Sequence, residues 1–274
     1  MIVARTLPAL RDALAGVARP LALVPTMGAL HAGHLALIEA GRAAGGRSTV
    51  ASVFVNPLQF GSAADLERYP RTEAADLAAL EGAGCDVAWL PSVAAMYPPG
   101  ACTAIEVGGP SEGFEGAARP GHFRGVATVV AKLFHQTGAE LAMFGEKDWQ
   151  QVQVVRQMIA DLDFPIRLVP VPTVREADGL ALSSRNRFLS ADERAVAPTL
   201  YCVLREVADG LRRGRTGAIE DGIAALAMRG FVPDYLAMVA GATMRPVAAA
   251  EPGARLVATA RLGTVRLLDN VAVA

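Results

Sequence analysis

The chain has 274 residues, 52% of them hydrophobic, a formal net charge of −1 and three cysteines. No run of about 18 uninterrupted apolar residues is present to cross a bilayer, and no basic run or arginine–aromatic stripe offers a nucleic-acid surface. The composition is that of a well-packed globular protein with one large core or two domains, and the widely spaced Cys85, Cys102 and Cys202 suit a reducing, cytoplasmic setting.

Leu7, Leu10, Leu14 and Val17 recur at helical spacing and predict a first helix over 7–17, after a lead-in at Met1–Arg5. Leu21–Val24 is an apolar run of the kind buried on both faces of a sheet. Pro25-Thr-Met-Gly28 breaks it, and Leu35, Leu37, Ile38 and Ala40 continue as a helix over about 34–45. His31 and His34 stand three apart near the start of that helix, so both can fall on one face, and Gly33 leaves the backbone uncovered between them. A helix N-terminus offers free N–H groups and the positive end of a dipole, which suits phosphate. Strand, turn, His-x-Gly-His and helix therefore predict a polyphosphate site with two imidazoles aimed at it. Local capping and zinc ligation are the other readings of the pair, but only Glu39 lies near His34 at all suitably for a metal.

Thr49–Val55 reads as a strand ending in a loop over 56–61. A helix over 73–82, strands at Asp86–Leu90 and Thr103–Val107, and a mobile Gly/Ala/Pro-rich segment at Glu112–Gly121 follow. Next come a helix at Val126–His135, a strand at Glu140–Phe144, a helix at Trp149–Leu162 and a strand at Ile166–Val169. This alternation predicts an α/β fold with a parallel sheet and right-handed crossovers. Beyond Pro170-Val-Pro172, Ser190-Ala-Asp-Glu193 resembles a capping box. Helices over 191–212 and 217–229 then precede strands at Tyr235–Val239, Arg255–Arg261 and Val265–Leu268. The expected division is a first domain over 1–172 and a small α+β domain over 173–274.

Four further stretches would sit at strand C-termini or the domain junction, where open α/β sheets bind ligands. They are Asn56–Phe60, Arg119–Arg124, Phe144–Gln151 and Leu182–Asn186. There is no P-loop, and Gly82-Ala-Gly84 lacks the third glycine of a dinucleotide fingerprint. Among 26 basic residues only Lys132 and Lys147 are lysines; genomic bias alone can produce such a balance, and it also makes each of the two a candidate place for a compact ammonium rather than a guanidinium.

His31-Ala-Gly-His34 resembles the signature of the HIGH superfamily of nucleotidyltransferases and class I aminoacyl-tRNA synthetases, and Leu182-Ser-Ser-Arg185 stands where that superfamily has its KMSKS-type loop. Six ordered blocks resemble one family within it, the pantoate–beta-alanine ligases or pantothenate synthetases. They begin at Pro25, Phe54, Tyr69, Arg119, Phe144 and Asp178, and the resemblance runs from about residue 20 to Asn270.

The resemblance implies ATP-dependent condensation of (R)-pantoate with beta-alanine to pantothenate, AMP and diphosphate, through a pantoyl adenylate and with Mg²⁺. It implies a Rossmann-like N-terminal domain, a smaller C-terminal lid, a cytoplasmic homodimer, and no nucleic-acid or membrane partner. Carried over residue by residue, the ATP site takes in Met27, Gly28, Ala29, Leu30, His31, Ala32, Gly33 and His34, then Gly145, Glu146, Lys147 and Asp148, then Val174, Leu182, Ser183, Ser184 and Arg185. Catalysis falls to His34 as proton donor, with His31, Lys147, Ser183, Ser184 and Arg185 stabilising charge on the phosphates. Met27, Gln59 and Gln151 match the pantoate positions, Gln59 also serves beta-alanine, and Asp76 is the candidate to help bind Mg²⁺ or beta-alanine. Two other functions remain open on the sequence: a related adenylyltransferase, whose phosphate acceptor would call for more Arg and Lys, and a nucleotide sensor without catalysis.

Overall fold

A computed structural model describes residues 1–273. The chain divides into two compact units, one comprising Met1–Glu146 and Val154–Pro172, the other Lys147–Gln153 and Thr173–Ala274.

The first unit is built on six parallel strands: β1 (Ile2–Ala4), β2 (Leu21–Thr26), β3 (Ser48–Val53), β4 (Val87–Trp89), β5 (Leu141–Gly145) and β6 (Arg167–Val171). Their spatial order is β1-β4-β3-β2-β5-β6, with every pairing parallel. The helices are α1 (Leu7–Ala15), α2 (Ala32–Ala43), α3 (Ala63–Arg68), α4 (Glu73–Gly82), α5 (Val93–Met96), α6 (Phe114–Ala118), α7 (His122–Thr137) and the part of α8 (Trp149–Asp161) that follows Gln153. Leu21–Val24 are fully buried, as a strand paired on both edges and covered on both faces requires. Ala22 and Val24 pack with Leu37, Ile38 and Leu80 of α2 and α4. Trp89 points to the other face, where its indole N–H donates to Gln136 of α7 at 3.0 Å.

The chain order reverses between β3 and β5 on either side of β2. This is the switch point at which open parallel sheets take ligands, beyond the C-terminal strand ends. The His-x-Gly-His turn leaves the end of β2, and Gly145–Glu146 leaves the end of β5.

The second unit holds α9 (Ala191–Val196), α10 (Thr199–Arg212) and α11 (Ala218–Met228), with the antiparallel strands β7 (Phe231–Val239), β8 (Arg255–Leu262) and β9 (Val265–Ala272). Leu204, Leu226 and Leu256 are fully buried in its own core. The α/β sheet followed by a small α+β unit is the expected fold class.

Several expectations are corrected. Residues Lys147–Gln153, placed by sequence in the first domain, group with the second unit. The Trp149 indole donates to the Gly241 carbonyl at 2.7 Å, Arg255 lies 3.7 Å over the Trp149 ring, and Asn270 donates to the Lys147 carbonyl at 2.9 Å. Residues 2–4 form edge strand β1 rather than a lead-in. No strand forms over 103–107, where the Ile105 N–H turns to the Thr128 hydroxyl at 2.9 Å instead of a neighbouring strand. The segment expected to be mobile carries α6, with Glu115 buried. The helix expected over 191–212 is split because Pro198 supplies no N–H to continue it.

Candidate active site

Met27 follows β2 directly, and the turn after it is held by side chains from two neighbouring elements. The Thr26 hydroxyl donates to the Ser52 carbonyl at 2.7 Å and accepts from Gly28 N–H at 3.2 Å. Gly28 and Ala29 both adopt the left-handed region, with φ of 79° and 51°. Gly28 is required for space as well as for φ: a Cβ there would lie 2.9 Å from Asp76 Oδ2 and 3.2 Å from Val53. Ala29 has no such freedom, so its conformation costs about 1–2 kcal/mol and needs an external hold.

Asp76 supplies that hold. Its carboxylate, 3% exposed, accepts Ala29 N–H at 3.1 Å and Leu30 N–H at 2.8 Å. The Thr72 hydroxyl lies 3.1 and 3.2 Å from its two oxygens. Both oxygens are thus engaged within the protein. Among the described residues no group of three or more His, Cys, Asp or Glu is placed to hold a metal ion. Asp76 does not fit the expected Mg²⁺ role; it clamps the turn.

Helix α2 then opens with a reciprocal cap made by the two histidines. His31 Nδ1 accepts Gly33 N–H at 3.2 Å, and His34 Nδ1 accepts His31 N–H at 3.3 Å. The rings lie 4.1 Å apart, tilted by 37°. A backbone N–H can only donate, so each Nδ1 is an acceptor and each ring carries its proton on Nε2. The capping and phosphate readings of the pair are therefore compatible. Five of the backbone donors expected for phosphate are already committed: Ala29 and Leu30 to Asp76, His31 to His34, Gly33 to His31, and His34 to the His31 carbonyl at 2.8 Å. The cap engages neither the imidazole Nε2–H groups nor the Ala32 N–H. Ala32 and Gly33 form the first turn between them.

After β3 the chain makes a short 3₁₀ turn, Pro57–Gln59, where a loop was expected, with Asn56 capping Leu58 N–H at 3.3 Å. Gln59 is 8% exposed, and its Nε2 lies 3.1 Å from the Met27 sulfur. Asn56 donates to Gln59 Oε1 at 2.9 Å and to the Gly125 carbonyl at 3.1 Å. The Gln59 carbonyl accepts Arg119 at 3.2 Å and His122 Nδ1 at 3.0 Å. This explains the Arg119–Arg124 block, to which sequence reasoning attached no role: its arginine and histidine fix the backbone under Gln59. Asn56 was singled out only as part of the 56–60 stretch, with no role of its own, and Tyr97, whose hydroxyl donates to Asn56 Oδ1 at 2.9 Å, was missed. An Asn-Pro pair at a strand end is a cap signal that could have singled out Asn56; Tyr97 left no sequence signal.

In the second unit, Lys147 Nζ lies 3.7 Å from Asp148, and Gln151 is half-buried in the first turn of α8. The serine–arginine loop is the far side of a small hairpin. Leu182 N–H donates to the Val174 carbonyl at 3.0 Å, and Arg175 pairs with Ala181 across it. Arg175 anchors the hairpin by a two-bond ion pair to buried Asp269, at 2.6 and 2.9 Å, while stacking 3.6 Å over the Tyr201 ring. Arg194 ties down Glu176 and Asp178 at 2.6 Å each, which holds the Asp178 carboxyl below its ordinary range. Ser183 caps Arg185 N–H at 3.3 Å, Ser184 begins a one-turn helix, and the Arg185 side chain is exposed. The expected Gln59 and Gln151 thus fall in different units, as do His34 and Lys147.

A family model described as pantoate-beta-alanine ligase matches residues 2–272. The pantothenate synthetase of Acidiphilium cryptum is 56% identical over 280 aligned residues, covering all of both chains. A crystal structure of pantothenate synthetase from Thermus thermophilus matches with a TM-score of 0.93 at 47% identity, over 100% of this chain and 99% of that one. A pantoate-beta-alanine ligase from Francisella tularensis, complexed with beta-gamma ATP and beta-alanine, matches with a TM-score of 0.84 at 30% identity, over 100% of this chain and 98% of that one. Sequence and fold agree from one end of the chain to the other, and it belongs to the pantoate–beta-alanine ligase family.

Proposed function

We propose that the chain joins (R)-pantoate to beta-alanine in two steps, with ATP consumed in the first. A pantoate carboxylate oxygen attacks the α-phosphorus, the bond to the β-phosphate oxygen breaks, and diphosphate leaves. The beta-alanine amine then attacks the acyl carbon, AMP departs with the bonding pair, and the surplus amine proton passes to solvent.

The observation that carries this reading is the reciprocal histidine cap at the switch point. It fixes two imidazoles as Nε2–H donors, 4.1 Å apart, beyond the end of β2. Donors held in advance where negative charge grows on phosphoryl oxygens stabilise the transition state without reorganising. His34 and His31 have that role in the proposal. Lys147 and Arg185 carry charge to the leaving diphosphate, with Ser183 and Ser184 as neutral donors. Met27 packs against the pantoate methyl groups, while Gln59 and Gln151 orient its oxygens by neutral hydrogen bonds that leave the carboxylate nucleophilic. Gly145, Glu146, Asp148, Val174 and Leu182 supply backbone and rim to the nucleotide. Mg²⁺ enters as part of the substrate, on the triphosphate.

The proposal extends to a cytoplasmic homodimer. All three cysteines are free, which suits a reducing compartment, and among the described residues no helix is long and apolar enough to cross a membrane. Sedimentation at micromolar concentration tests the dimer.

The chemical test is a quenched mixture of enzyme, MgATP and pantoate without beta-alanine, read by mass spectrometry. Pantoyl adenylate should accumulate to near one per active site before any pantothenate forms, since the anhydride survives only in a site that excludes water. ATP cleavage that requires beta-alanine, with no adenylate trapped, overturns the two-step reading.

A further inference from the structure

The Gln59 side chain sits at the end of a chain of hydrogen bonds that begins outside the residues assigned above. Asn56, 1% exposed, stands in the middle of it. Its Oδ1 accepts from the Tyr97 hydroxyl at 2.9 Å and from Leu58 N–H at 3.3 Å. Its Nδ2 faces the Gly125 carbonyl at 3.1 Å, a group that can only accept, and Gln59 Oε1 at 2.9 Å. A backbone donor on one side and a backbone acceptor on the other leave the Asn56 amide a single orientation. Of the two bonds to its oxygen, the one from Leu58 is at the long limit for an N–H donor, so Tyr97 supplies the firmer hold. Burial pushes the Tyr97 phenol up from its ordinary value, which keeps it a donor.

We infer that Tyr97 and Asn56 are positioning residues that lock the Gln59 amide with its oxygen inward and its NH₂ outward, making this corner of the pantoate subsite one that accepts only a hydrogen-bond acceptor. The inference rests on the reading of Gln59 as a pantoate residue. With Oε1 committed to Asn56, the NH₂ group has the Met27 thioether at 3.1 Å, a weak acceptor, as its partner. A substrate carboxylate or hydroxyl oxygen improves on that sulfur; an ammonium cannot. A flip of the amide would set NH₂ against NH₂ and oxygen against sulfur in a buried place, leaving both unsatisfied. The Gln59 role toward beta-alanine is therefore restricted to its carboxylate end.

The test is steady-state kinetics of the whole enzyme with Tyr97→Phe, Gln59→Ala and the double variant. Tyr97→Phe keeps the ring, which lies 6.1 Å from Phe54, and removes only the hydroxyl. It should raise the pantoate KM about five- to ten-fold, the value of one net hydrogen bond, with the ATP KM unchanged. Gln59→Ala should raise the pantoate KM further, and adding Tyr97→Phe to it should then change nothing, because the hydroxyl acts only through the amide. A normal pantoate KM in Tyr97→Phe, or effects that multiply in the double variant, overturns the lock while leaving Gln59 in place. A normal pantoate KM in Gln59→Ala instead removes the reading of Gln59, and the lock falls with it. Gln59→Glu gives a second arm should Tyr97→Phe not fold: it keeps the oxygen that Asn56 holds and replaces only the outward NH₂. Pantoate binding should suffer at least as much as in Gln59→Ala, and normal binding refutes the inference.

Discussion

Replacing Asp76 by Asn separates a clamp from a metal ligand. The carboxylate holds Leu30 N–H at 2.8 Å and Ala29 N–H at 3.1 Å. An asparagine keeps its single oxygen for the shorter bond and turns its NH₂ toward the Ala29 donor. One hydrogen bond to a charged group is lost, worth about 1.5–3 kcal/mol, and a buried N–H is left facing another donor, at about 1–3 kcal/mol more. Relaxation of Ala29 out of the left-handed region returns about 1–2 kcal/mol. The net loss is about 0.5–5 kcal/mol, centred on ~3 kcal/mol, for which Tm falls by roughly 6–12 °C in a chain of this length. That relaxation also moves His31, two residues on, so kcat should drop about 100-fold. The assay is calorimetry together with a magnesium titration of the rate, and the ring ¹⁵N signals of His31 and His34 in the nucleotide-free enzyme should shift. The half-saturating magnesium concentration should stay where it is. If it rises ten-fold or more, and excess magnesium restores the rate, Asp76 is a ligand and the argument from its occupied oxygens is wrong.

His34→Ala removes one preorganised donor and should lower the rate about 100- to 1,000-fold, with a stability loss limited to that of a helix cap, about 1 kcal/mol; single-turnover adenylate formation measures the rate. Gly125→Ala would place a Cβ against the Leu58 carbonyl oxygen and 2.7 Å from Gln59 N, so α7 and the 3₁₀ turn must part. Its pantoate KM should rise more than its ATP KM. Glu140→Gln tests a pH effect. Burial raises the Glu140 carboxyl, but Leu21 N–H and Arg19 outweigh it and leave the pKa below the ordinary value. Its stabilisation is thus complete above the unfolded-state pKa of about 4.5 and fades as pH falls through the lower folded value. The Tm gap between wild type and variant should be present at pH 7 and close on acidification; a gap that widens toward acid refutes the assignment.

The parts of this structure that were legible in the sequence are those governed by near neighbours in the chain. The Leu21–Val24 run announced a doubly covered strand, and Gly28 and the His31–His34 spacing announced a turn feeding a helix. Ser190-Ala-Asp-Glu193 forms the reciprocal cap that its spacing suggests. Contacts across long separations were not legible. Asp76 looks like one more acid in the first turn of α4 until the fold brings it to a turn 46 residues earlier. Thr103–Val107 has the β-branched content of a strand, but no strand partner, and its Ile105 N–H is taken by Thr128. Trp149 reads as the start of a helix belonging to the first sheet; its attachment to Gly241 and Arg255 depends on residues about a hundred positions later.

That attachment bears on how members of this family can be recombined. The boundary at Pro172–Thr173 looks like a seam, yet the second unit also owns the internal heptapeptide Lys147–Gln153. A chimaera spliced at that seam alone would set one relative's Trp149 against another's Gly241 and Arg255, and one relative's Lys147 carbonyl against another's Asn270. The second unit is not a detachable cassette. A functional exchange between relatives needs two grafts, the heptapeptide and the C-terminal portion, and mismatches between them should surface first as lost packing around Trp149.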